Sequence, residues 1–231
     1  SVFVNKITEN GIEHEFGGHS NRVYDTDLLI VSPGVPQRSE VIRVATEKGI
    51  DIVSEVEAAS WFCKGKIIAI TGTNGKTTTT TLIGEIFKDA GFKTYVCGNI
   101  GKPFSEIAED TDENSIVVLE TSSFQLDNIV NFKPFISILL NITPDHLDRY
   151  DSFEKYAESK MRITENQNNS DYFVFNYDDE LVKKSSRGSV KAKLSAFSLS
   201  PAVKENIDNG AYVDNFDLIY FYYMGEENII D

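Results

Sequence analysis

Residues 67–78 read Ile-Ile-Ala-Ile-Thr-Gly-Thr-Asn-Gly-Lys-Thr-Thr, an apolar run that breaks into a glycine turn ending in Lys-Thr. That order suits phosphate. Backbone N–H groups of a tight glycine loop, with the positive end of the helix that follows, surround phosphate oxygens at little steric cost. Gly72, Thr73, Asn74, Gly75, Lys76, Thr77 and Thr78 are therefore the candidate nucleotide-binding residues, with Lys76 reaching the terminal phosphates and Thr77 a magnesium ion. The usual pattern has a glycine five residues before Gly75, where this chain has Ile70, so the loop is a shortened variant.

Further candidates follow at the ends of apolar runs. Residues 115–120 (Ser-Ile-Val-Val-Leu-Glu) form a buried strand that delivers the Glu120 carboxylate, an oxygen ligand suited to a hard cation. Ser122, Ser123 and Gln125 come next, and their groups could either cap a short helix or face a ligand. His146, in Asn-Ile-Thr-Pro-Asp-His-Leu-Asp-Arg (141–149), could be a structural hydrogen-bonder or contact a metal or substrate. Asn99 stands in Gly98-Asn99-Ile100-Gly101, where glycines permit close approach of another group. Ser32, Pro33 and Gly34 make a strand-end turn. Lys160 lies in a helical stretch beside Glu154, Glu158 and Glu165, and on these residues alone it reads as an exposed lysine.

Positioning these groups requires a sheet with one ligand edge. Short β-branched runs at 28–31, 50–53, 67–70, 94–97, 116–119, 136–140 and 172–175 alternate with helical patterns at 39–48, 55–62, 77–90 and 153–165. This rhythm predicts an α/β fold with parallel strands and ligands at their carboxyl ends. Lys64-Gly65-Lys66 marks the boundary between an N-terminal domain (1–64), read as an incomplete Rossmann-like unit, and a P-loop NTPase-like central domain (65–231) with a mostly parallel sheet. Residues 1–5 read as a strand, and 217–223 with 229–230 as a hairpin turning at Gly225.

The chain has 231 residues, 41% of them hydrophobic, enough for a real core. With 36 acidic against 22 basic residues and a net charge of −14, the composition argues against a nucleic-acid surface, because such surfaces neutralise phosphates with Lys and Arg, and any phosphate site must be local. Cys63 and Cys97, without a CxxC pair, fit a reducing cytoplasm and no zinc site. No apolar stretch is long enough for a membrane span, and no leader opens the chain, so a soluble protein is expected, with a cytoplasmic location and a monomeric state as accompanying expectations.

The loop 71–78, Gly98-Asn99-Ile100-Gly101, the segment Glu-Thr-Ser-Ser-Phe-Gln-Leu (120–126), residues 141–150 and the helix around Lys160 together resemble the Mur ligases of peptidoglycan synthesis. Residues 120–126 and Thr-Pro-Asp-His-Leu-Asp-Arg-Tyr (143–150) are most similar to the branch that adds D-glutamate to UDP-N-acetylmuramoyl-L-alanine. The diaminopimelate- or lysine-adding relatives usually carry histidine where this chain has Phe124.

The resemblance implies ATP-dependent amide-bond formation through an acyl phosphate, with two magnesium ions. Thr77 and Glu120 would hold the ATP-side ion, and His146 and Lys160 the second, Lys160 as a carbamate; Lys76, His146 and Lys160 would be the catalytic set. Asn99, Ser122, Ser123 and Gln125 would line the muramoyl-alanine pocket, and Ser32, Pro33 and Gly34 would meet the UDP end. The family has a glycine-rich UDP motif, which does not precede Val2, and a C-terminal amino-acid-binding domain, which does not follow here. The expectation is a fragment with the ATP and metal core, whose turnover needs the missing pieces. The same loop occurs in folylpolyglutamate synthases, which generally follow the loop lysine with glycine rather than Thr77. A non-catalytic Mg-ATP-binding module is the remaining alternative, and Ile70 argues against a generic P-loop kinase.

Overall fold

The computed structural model describes residues 2–145, 149–186, 188, 190–214, 216–223 and 225–230. The first element is a helix, α1 (Val2–Glu9), and not the strand that Val2-Phe3-Val4 predicts. The β-branched run misleads because a strand needs a ladder partner, whereas this segment closes its own bonds. Asn10 N–H donates to Lys6 O at 3.2 Å, and Gly11, at φ 67°, supplies the left-handed residue at which helices end.

There follow β1 (Leu28–Val31), α2 (Glu40–Glu47), β2 (Asp51–Ser54) and α3 (Glu55–Ser60). The second part runs β3 (Lys66–Thr71), α4 (Lys76–Asp89), β4 (Thr94–Gly98), α5 (Phe104–Ile107), β5 (Ile116–Glu120), α6 (Ser123–Leu126) and β6 (Ile136–Leu139). It continues with α7 (Phe153–Met161), β7 (Tyr172–Asn176), α8 (Glu180–Ser186), β8 (Lys193–Ser198), β9 (Asn209–Val213), β10 (Ile219–Tyr223) and β11 (Glu226–Ile230).

Two sheets result. β1 and β2 pair in parallel, and nine strands line up as β11-β10-β9-β8-β7-β6-β3-β5-β4. The large sheet is parallel from β4 to β9; β10 runs antiparallel to both neighbours, making the hairpin expected around Gly225. The fold is thus α/β with a mostly parallel central sheet. The chain leaves β3 for β4 on one side and later crosses to β6 on the other, so the loop after β3 opens at the switch point where such sheets bind ligands.

Fully buried β3 and β5 residues explain why these strands are continuous apolar runs: Ala69, Ile70, Val117, Val118 and Leu119 are all at 0% exposure. One glycine is forced by packing. A Cβ on Gly98, which sits at φ 104°, would stand 2.3 Å from Glu120 O, inside any allowed contact.

The two parts are joined through α3. Val56 and Ala59 lie in the same core cluster as Ile67, Val117 and Phe132. The Glu57 carboxylate, at 0% exposure, accepts N–H bonds from Val130, Asn131 and Phe132 at 2.7–3.0 Å and from Trp61 Nε1 at 2.8 Å. Acidic residues at the start of a helix look solvent-facing in sequence, yet here one is buried and accepts from three successive backbone amides. Glu57→Ala leaves those donors without acceptor and should destabilise the fold by about 3 kcal/mol. A denaturant midpoint unchanged from wild type would remove this anchoring role.

Candidate active site

The glycine loop owes its shape to two glycines at backbone angles that residues with side chains rarely adopt. Gly72 is at φ 153° and Gly75 at φ 84°, the latter serving as N-cap of α4, which places a helix N-terminus against the loop. The loop is pinned to the segment after β6. Thr73 N–H donates to Asn141 O at 3.0 Å, and Asn74 N–H to Asn141 Oδ1 at 2.9 Å. Asn141 Nδ2 returns a bond to Asn74 O at 3.0 Å, and Thr143 N–H donates to Thr73 Oγ1 at 3.0 Å.

Lys76 folds back across this loop, its Nζ donating to Gly72 O and Thr73 O at 2.9 Å each. Lys160, from α7, donates to the same Gly72 O at 2.9 Å. It is 2% exposed and lies over the Tyr156 ring at 4.6 Å, while the Tyr156 hydroxyl is 3.2 Å from Thr73 Oγ1. Burial, and next the nearby Lys76 cation, push the Lys160 ammonium down to about 7. The lysine that looks exposed in sequence is therefore a desolvated amine against the loop.

At the end of β5, Glu120 is 1% exposed and binds two candidates at once. Thr77 Oγ1 donates to Oε2 at 2.9 Å, and Asn99 Nδ2 to Oε1 at 2.8 Å. Strand pairing causes this convergence, because β5 lies between β3, which feeds the loop, and β4, which feeds Asn99.

A cavity of about 440 Å³ collects Pro33, Gly34, Thr73, Lys76, Asn99, Ser122, Ser123 and Lys160, joined by Phe124, Asp145, Arg149 and Tyr156. Ser32 instead lines a neighbouring cleft of about 620 Å³ between the 31–38 segment and α7. Gln125 is buried and closes a capping box with Ser122: its Oε1 accepts from Ser122 N at 2.9 Å, while Gln125 N donates to Ser122 Oγ at 3.4 Å. Ser122 thus caps α6 and lines the cavity as well. Thr78 is exposed in the first turn of α4, and His146 lies outside the described residues.

Tyr156 and Asn141 were not singled out from sequence. Tyr156 had a readable signal, since it precedes Lys160 by one helical turn and must share its face. Asn141 had none, because its role is set by the loop it meets. Among the described residues no group of three or more His, Cys, Asp or Glu side chains could hold a metal ion, and no helix is long and apolar enough to cross a membrane.

The Mur ligase middle domain family matches residues 70–225, and the MurD N-terminal domain family residues 5–41. The UDP-N-acetylmuramoylalanine--D-glutamate ligase of Salinibacter ruber is 52% identical over 183 residues, covering 77% of this chain and 40% of that protein. The protein of the same name from Chloroherpeton thalassium is 46% identical, covering 92% of this chain and 48% of its own length. This chain spans about half the length of the curated relatives it matches. Among solved structures, the UDP-N-acetylmuramate:L-alanyl-gamma-D-glutamyl-meso-diaminopimelate ligase from Neisseria meningitides superposes with a TM-score of 0.58 at 15% identity, over 96% of this chain and 73% of that one. A UDP-N-acetylmuramoyl-L-alanyl-D-glutamate--2,6-diaminopimelate ligase gives a TM-score of 0.55 at 20% identity, over 88% and 52%. At such identities the two structures speak for the fold alone.

Proposed function

This chain belongs to the Mur ligase family, and from that premise we propose that it carries the ATP-binding and metal-binding core of a ligase that adds D-glutamate to UDP-N-acetylmuramoyl-L-alanine. The observation that carries this reading is the convergence of Lys76 and Lys160 on Gly72 O, beside the Thr77–Glu120 pair. It sets two amines and a pair of hard oxygen donors around one phosphate-sized loop.

The residues fit a divalent cation, since Thr77 Oγ1 and the Glu120 carboxylate put oxygens 2.9 Å apart where a loop-bound triphosphate would end. Magnesium, when bound there, neutralises charge on the phosphoryl oxygens. Gly72, Thr73, Asn74, Gly75 and Thr78 cradle the phosphates, while Lys76 exchanges two carbonyl bonds for bonds to phosphate. The L-alanyl carboxylate attacks the γ-phosphorus and ADP leaves. The D-glutamate amine then adds to the acyl phosphate carbonyl, loses a proton, and expels phosphate as the amide forms.

Lys160, desolvated and with its ammonium pushed down to about 7, has an appreciable neutral fraction near neutral pH and is chemically suited to carbamylation and so to serve as an oxygen ligand for a second ion, with His146 its partner by sequence. Asn99, Ser122, Ser123 and Gln125 belong to the muramoyl-alanine pocket, and the Ser32-Pro33-Gly34 turn meets the UDP end. The division into an N-terminal domain, 1–64, and a central domain, 65–231, a cytoplasmic location and a monomeric state complete the proposal.

The test is ADP formation with Mg-ATP and UDP-N-acetylmuramoyl-L-alanine in the full-length protein, comparing D-glutamate with L-glutamate, L-lysine and diaminopimelate. Stimulation by D-glutamate alone is expected. ATP binding with no response to any acceptor would leave a nucleotide-binding module in its place.

A further inference from the structure

Three consecutive residues, Arg149, Tyr150 and Asp151, point alternately to the two parts of the molecule. Tyr150 is rooted in the central domain: its hydroxyl donates to Asp127 Oδ2 at 2.9 Å, and its ring stacks on Phe124 with centroids 5.7 Å apart and planes 8° from parallel. Its neighbours reach the other way. Asp151 pairs with Arg38, and the Arg149 guanidinium faces the carbonyl oxygens of Pro33 and Gly34 at 3.4 and 3.5 Å. The same guanidinium lies over the Phe124 ring, 4.5 Å from its centroid.

Arg149 and Phe124 also line both the 440 Å³ cavity and the 620 Å³ cleft, so the pair is the wall between them. From this arrangement we infer that Arg149 is a positioning residue: set over the Phe124 ring, it ties the Pro33–Gly34 turn to the central domain and holds that turn over the cavity shared with Lys76 and Lys160. The inference deepens the proposed function and rests on it for the identity of the substrate the turn meets. The Arg38–Asp151 pair, whose side chains are 70% and 81% exposed, adds little beside it.

The chemistry requires arginine. A guanidinium is planar, so it stacks on a ring face while its edge N–H groups reach two carbonyls. A lysine ammonium is a compact charge and cannot do both. Arg149→Lys therefore separates position from charge, since it keeps the cation and loses the geometry.

Two measurements test this. In the ligand-free chain, amide exchange followed by NMR should show Val35, whose N–H donates to Ser32 O at 3.0 Å, exchanging several-fold faster in both Arg149→Ala and Arg149→Lys, with β5 and β7 unchanged. In the full-length enzyme both variants should raise KM for UDP-N-acetylmuramoyl-L-alanine about tenfold, with KM for ATP and kcat changed by no more than about twofold. Phe124→Ala should do the same, and the double variant no more than either single one. Unchanged exchange at the turn in Arg149→Ala, or full recovery of both readouts in Arg149→Lys, would overturn the tie. A wild-type enzyme inert towards this substrate would instead sink the functional reading, while the exchange result would still decide the role of Arg149.

Discussion

Lys76→Ala should lower D-glutamate-dependent ADP formation by about a thousandfold, the scale of losing a fixed positive group where transition-state charge develops. The same substitution should leave stability intact or raise it. Lys76 and Lys160 both donate to Gly72 O at 2.9 Å, so in the free protein two ammonium groups crowd one carbonyl. Removing one relieves that repulsion, and the Lys160 ammonium then rises from about 7 because its second-largest depressing influence is gone. Turnover assays and thermal melts at pH 7 check both halves together. Activity within about tenfold of wild type would remove Lys76 from the chemistry. A fall in Tm of more than about 5 °C would mean instead that the lysine holds the loop in shape.

Lys160→Met should abolish a pH dependence of stability that wild type shows above neutrality. Burial depresses the Lys160 ammonium to about 7 in the folded chain, against 10.5 ordinarily. Between those values the unfolded chain binds more protons than the folded one, so stability rises with pH across the window. The cost of the buried cation is fully present below about pH 7 and fades towards pH 10. At roughly 1.4 kcal/mol per unit, the whole span is on the order of 5 kcal/mol. Denaturant midpoints at pH 6.5 and 9.5, with the methionine variant as reference for every other group, isolate this term. Parallel behaviour of the two proteins would show that the ammonium is not desolvated. Turnover should also fall at least about a hundredfold in the variant, since the carbamate proposed to hold a second ion can no longer form.

Much of the fold was readable because its signals are local. The alternation of β-branched runs with helical stretches needs only a few neighbouring residues, and it placed β1 to β7 and the β10–β11 hairpin. The phosphate loop was readable for a similar reason: Gly72 and Gly75 adopt backbone angles that other residues avoid, and Lys76 and Thr77 follow at fixed offsets. The strand expected at the N-terminus failed because β-branching describes a residue's fit to a sheet and not whether a partner strand exists; among the described residues this segment joins neither sheet and forms α1.

The sequence by itself determined an α/β chain with a shortened phosphate loop and a carboxylate at the end of a following strand. Only the tertiary structure decided what surrounds them. Lys160 sits among glutamates in its helix, yet packing of α7 buries it against a carbonyl 88 residues away. Glu57 looks like an ordinary acidic helix start, yet it caps backbone amides more than 70 residues distant. Arg149 gains its place only where the 33–34 turn meets Phe124. The physical reason is common to all three. Backbone angles and periodicity are written within a turn or two of chain, whereas the desolvation and pairing of a charge depend on which distant segments fold against it.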